Sequence, residues 1–146
     1  MVLFWLIGCR FDSLLQKEQS DSMNHVQRFE QIELGFPGGK FPVELANEEH
    51  EIALGFRFRR QIKEMDAMLF TLEKNTIQSL SMEDVSISLS YAFLNQEGKV
   101  IELGDLEKGT THPIHEDVGY LLEFHPSSNN YFQIREKSVI FGLPDM

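Results

Sequence analysis

Cysteine is almost missing from this sequence. Cys9 is the only one in 146 residues, so no disulfide forms within the chain and a hydrophobic core has to hold the fold. Cations are scarce as well: 13 Lys and Arg face 23 Asp and Glu, a formal net charge of -10. Phosphate backbones repel such a chain, which argues against nucleic acid as a partner. The apolar run Met1 to Ile7 falls far short of the ~20 residues that a membrane-spanning helix needs. There is no Gly-x-Ser-x-Gly elbow, no Walker loop and no His-Glu-x-x-His pair, so the common hydrolase, nucleotide and zinc-protease signatures are absent. Neither an internal repeat nor a low-complexity tract is present.

What remains has the composition of an ordinary globular domain, 42% hydrophobic and 25% charged. Surface scaling gives ~7,700 Å² folded against ~24,500 Å² unfolded, so about two thirds of the surface is buried without staples.

The amino terminus reads as an address. Met1 to Ile7 is apolar, Gly8 is small, and Cys9 follows. Leu6-Ile7-Gly8-Cys9 resembles the lipobox of bacterial lipoproteins. The resemblance implies cleavage before Cys9 and a diacylglycerol on its thiol, with residues 1–8 a signal-peptide remnant. No Lys or Arg precedes the apolar run, and the alternative is a buried first strand over Val2 to Ile7. By resemblance to enterobacterial lipoproteins, Arg10 after the cysteine implies passage to the outer membrane, facing the periplasm. The stretch to Gln27 is polar, with Asp12, Ser13, Gln16, Lys17, Glu18, Ser20, Asp21 and Ser22. It suits a tether over residues 9–27 that holds a domain, residues 28–146, clear of a bilayer.

From there the apolar residues recur with a period of two. Ile52, Leu54, Phe56 and Phe58 alternate with Ala53, Gly55 and Arg57. Val85, Ile87, Leu89, Tyr91 and Phe93 alternate with serines and Ala92. Side chains of a strand alternate between faces, so each run predicts a half-buried strand. Asn95 to Gly98 supplies a turn into Val100–Leu103. Further strands are expected over Phe29–Phe36, Phe41–Leu45, Tyr120–Phe124, Tyr131–Arg135 and Val139–Phe141. Short strands between turn clusters predict a mainly β fold, an antiparallel β-sandwich of immunoglobulin-like or transthyretin-like type. Ile62, Met65, Met68, Leu69 and Leu72 fall at helical spacing and predict one short helix near residues 61–74.

Chemistry is sparse. His112 and His115 are three apart, a spacing two metal ligands can use from a loop, with Glu116 and Asp117 as added oxygens; two ordinary histidines in an acidic loop is the favoured reading, so no metal or other cofactor is expected. Glu48, Glu49 and Glu51 surround His50 and read as a charged loop. Arg57, Arg59, Arg60 and Lys63 are the one cationic concentration and a candidate partner contact, with ion pairing to neighbouring glutamates the favoured alternative. Phe36 and Phe41 flank the Pro37-Gly38-Gly39 turn and form a weaker candidate contact if exposed.

Together, the lipobox and the strand-rich region resemble small uncharacterised bacterial lipoproteins with one β-sandwich after the acylated cysteine. That implies a membrane-anchored, non-enzymatic protein-binding module, of immunity or envelope and secretion-assembly type. The alternative is a small carbohydrate-binding or hydrolytic module using carboxylates such as Glu116 and Asp117.

Overall fold

The computed structural model describes residues 28–72 and 78–146. The lipobox, Cys9 and the tether lie outside the described residues. Elements follow in the order β1 (Gln31–Phe36), β2 (Gly39–Ala46), α1 (Glu49–Leu54), β3 (Ala67–Thr71), β4 (Ser79–Ser81), β5 (Leu89–Leu94), β6 (Val100–Leu106), β7 (Thr111–Pro113), β8 (Tyr120–Phe124) and α2 (Asn129–Phe132). Six strands form one sheet in the order β1-β2-β3-β8-β5-β6, and β4 pairs with β7 in a separate antiparallel ribbon.

The fold is mainly β, but it is not antiparallel throughout. β2 and β3 run parallel, with Glu44 opposite Met68 and Ala46 opposite Phe70. A parallel neighbour needs a crossover, and residues 47–66 provide one that contains α1. The last strand, β8, then enters the middle of the sheet between β3 and β5.

Two further expectations are corrected. Ile52 and Leu54 lie in a helix, not a strand. Glu48 and Glu51 form a reciprocal capping box at its start, and Glu49 and Glu51 place negative charge in its first turn. Conversely, the helix expected over 61–74 is replaced by β3, all five of whose residues are buried. Its sequence Ala-Met-Leu-Phe-Thr is a near-continuous apolar run, which suits a strand covered on both faces.

Both faces of the six-stranded sheet are indeed covered. On the first, Met68, Phe70, Tyr91, Phe93 and Leu121 share a buried cluster with Phe56, Leu80, Met82 and Val85. On the second, Leu34, Val43, Leu69, Ala92, Leu122 and Phe124 pack with Phe132, Ile134 and Ile140 from the carboxyl-terminal segment. Phe36 belongs to this cluster, with its ring stacked on Phe132 at 4.3 Å, and Phe41 lies 5.3 Å from the same ring. Phe36 is therefore core, and Phe41 is half-buried against it rather than exposed. Tyr131–Arg135 and Val139–Phe141, expected as strands, instead hold α2 and two isolated bridges, Gly35 to Phe141 and Lys99 to Val139.

Candidate functional site

An open pocket of about 760 Å³ lies on the first face of the sheet. β3 and β8 make its floor, α1 and the turn that follows it make one wall, and β4 with Val85 makes the other. Gly55 caps α1 with φ +47, and a Cβ there would lie 3.2 Å from the Phe70 ring. Its missing side chain lets the turn descend onto the floor. Phe56, Phe70, Leu72, Leu80, Val85 and Leu121 give the lining an apolar character, and Asn47, Glu48, Glu49, Ser79 and Ser81 are exposed around it.

Of the buried lining residues, Thr71 and Glu123 are polar, and Glu123 alone of those two is ionisable. Glu123 sits in β8 on the same face as Leu121, 8% exposed. Its cross-strand neighbours are Met68 on β3 and Tyr91 on β5. Neither gives it a hydrogen bond, and it has no hydrogen-bond or ion-pair partner among the described residues. Burial alone pushes its carboxyl up to about 7. A carboxyl poised near neutrality in a concave site is a functional-site signature. No motif or spacing in the sequence singles out Glu123. The available signal was a lone carboxylate inside the apolar strand Tyr-Leu-Leu-Glu-Phe.

The second buried carboxylate has the opposite environment. Glu44, on β2, takes Arg59 Nη1 and Nη2 at 2.7 Å each, the Phe29 N–H at 3.0 Å and Arg28 Nη1 at 3.2 Å. Burial on its own would raise Glu44. The Arg59 hydrogen bonds, the Phe29 N–H and the charges of Arg59 and Arg28 outweigh it and hold the carboxyl below its usual range. The Arg59 guanidinium also lies over the Phe56 ring at 4.9 Å. Arg59 thus ties the turn after α1 to the sheet.

The expected cationic patch is dispersed as a result. Arg59 is buried on Glu44, and Arg57 pairs with Glu83 at 3.2 Å and Asp84 at 3.7 Å. They do not project from one strand face, because residues 55–58 form turns. Arg60 and Lys63 remain exposed.

His112 and His115 do come together, on a carboxylate the sequence reading did not name. Glu102 on β6 accepts the Tyr91 hydroxyl at 2.5 Å and His115 Nε2 at 2.9 Å, and His112 Nε2 lies 3.0 Å from the Tyr91 oxygen. The Tyr91 bond, working against partial burial and helped by both histidines, holds Glu102 below its usual range. Among the described residues, no group of three or more His, Cys, Asp or Glu is placed to hold a metal ion. Glu116 and Asp117 are exposed and lie outside the pocket.

A protein-family model, DUF192 (Uncharacterized ACR), matches residues 32–140, and the chain belongs to that family. No curated protein matches it. Two solved structures are similar. One is a protein of unknown function from Novosphingobium aromaticivorans, 16% identical, with a TM-score of 0.63 over 82% of this chain and 95% of that one. The other is a candidate transcription regulator from Sinorhizobium meliloti, 20% identical, with a TM-score of 0.65 over 80% of this chain and 96% of that one. At these identities the likeness is one of fold.

Proposed function

We propose that this DUF192 chain is a small-molecule-binding module, anchored through an acylated Cys9 at the bacterial outer membrane and facing the periplasm. The pocket above Glu123 carries the reading. Its volume of about 760 Å³ lies within the range of small-ligand sites, and it sets two buried polar residues, Thr71 and Glu123, among apolar side chains beneath a polar rim, a composition such sites share. Recognition belongs in the pocket, where the first face of the sheet opens between packed side chains. Leu6-Ile7-Gly8-Cys9 supports the anchor. Acyl chains on Cys9, at about 0.8 kcal/mol per buried methylene, would keep the domain at the bilayer.

Amide chemical-shift mapping with a fragment set of mixed charge tests the pocket. Shifts are expected to gather at Phe70, Val85, Leu121 and Glu123. Shifts confined to the outer surface, or none, would remove the reading. Mass spectrometry of the protein from its native envelope tests the anchor, and a free Cys9 thiol behind an intact leader would refute it.

A further inference from the structure

We propose that the pocket takes an organic cation, a protonated amine on an apolar body, with the ammonium group against the Glu123 carboxylate and the body against Phe56, Phe70 and Leu121. The proposal rests on the reading of the pocket as a ligand site and adds the class of ligand.

Three observations fix the sign of the charge. First, Glu123 faces the pocket from its floor and has no donor of its own among the described residues. An unpartnered buried carboxylate costs stability, and a ligand that donates to it returns that cost as affinity. Second, the neighbouring groups are already committed. Arg57, the one cation among the described lining residues, is held by Glu83 and Asp84. The Tyr91 hydroxyl, from the adjacent strand, is given to Glu102. Third, the other charged side chains at the rim among the described residues, Glu48 and Glu49, are negative, as is the chain as a whole at -10. Such a field draws cations to the mouth and repels anions.

The lining then selects an organic cation over a bare metal ion. Calcium needs about six to eight oxygen ligands, whereas the pocket floor offers one carboxylate amid Phe56, Phe70, Leu80 and Leu121. An apolar wall strengthens a single ammonium-carboxylate contact by excluding water. It also gives the body of the ligand a surface to cover.

Calorimetry on the full chain at about pH 8 tests this with three probes of nearly one shape: phenethylamine, 2-phenylethanol and phenylacetate. The amine is expected to bind at least about tenfold more tightly than the alcohol, and the acid more weakly than either. Glu123→Gln should bring the amine down to the affinity of the alcohol. Ala53→Trp, which fills the pocket from the exposed side of α1, should abolish binding of both. Alcohol or acid binding as tightly as the amine, and lost in Ala53→Trp, overturns the choice of cation and leaves the pocket standing. Amine affinity unchanged in Glu123→Gln also overturns it. No binding that Ala53→Trp removes, for any of the three, overturns the pocket and the cation together.

Discussion

Replacing Glu123 by Gln should stabilise the protein, and only above the acid range. The carboxyl ordinarily titrates at 4.5 and is pushed up to about 7 by burial. Between those values the folded state keeps a proton that the unfolded state has lost. Stability therefore falls as pH rises from about 4.5 to about 7, and stays reduced above that. At about 1.4 kcal/mol per pH unit, the reduction at about pH 8 comes to roughly 3 kcal/mol. Gln keeps the shape and carries no charge, so it escapes the penalty. Below about pH 4 both side chains are neutral and the two proteins should unfold alike. In a domain of this size, 3 kcal/mol corresponds to a rise in Tm of roughly 10 °C. Urea titrations and thermal melts across about pH 4 to 9 measure the difference directly. Parallel stability curves at all pH values would refute the reasoning. So would a variant less stable than its parent at high pH, since the carboxylate would then have a partner that the geometry does not include.

Three other outcomes follow from the same structure. Arg59→Ala leaves Glu44 buried without its main partner and should cost about 3–5 kcal/mol by urea denaturation; because Glu44 is held low in the parent, the difference should shrink as pH falls through its range. Gly104→Ala would put a Cβ 2.8 Å from the Tyr91 ring, so a loss of about 1–3 kcal/mol is expected, with Tyr91→Phe giving only partial relief because the ring remains. Tyr91→Phe alone removes the largest influence holding Glu102 down, so carboxyl NMR titration should find Glu102 higher than in the parent, and an unchanged midpoint would contradict the hydrogen-bond assignment.

The sequence carries the β character openly where one face of a strand is polar. β5 and β6 around Asn95–Gly98 are legible because Asn95 and Gly98 mark the turn: the Asn95 side chain accepts the Glu97 and Lys99 N–H groups, and Gly98 takes φ +81. β8 is legible to the residue. The equally buried strand β3 is not: where His125-Pro126 bounds β8, β3 is preceded by Ile62 and Met65, which extend its apolar residues into a helical spacing. α1 is misread for a related reason. Ile52, Leu54 and Phe56 do alternate, but Gly55 ends the helix and the third apolar residue belongs to the turn beyond it. The site is hidden in long-range pairing. Glu123 and Glu44 look alike in sequence, each a lone carboxylate in an apolar strand. Only the tertiary fold gives Arg59 to one and leaves the other facing a pocket.

The pocket itself follows from a mismatch in lengths. Six strands at about 4.8 Å spacing make a sheet roughly 24 Å wide. The regular structure that the crossover between β2 and β3 lays over it is the six-residue α1, a helix of about 9 Å, with Phe56 and Ile62 of the following turn and loop packed beside it. The β4–β7 ribbon covers the other side, where His112 packs 5.0 Å from the Tyr91 ring. β3 and β8 pass between these two covers, and that is where the floor opens. On the second face Phe36, Phe41 and Phe132 join Ile134 and Ile140 in covering the sheet. A carboxylate on β8 directed to that second face would meet packed aromatic rings. Directed to the first face, at Glu123, it meets an opening wide enough for a ligand and too apolar to supply a counter-charge. The short helix of the crossover therefore accounts for both halves of the site, the space and the unpaired acid, and a longer α1 would be expected to close the first and leave no tolerable place for the second.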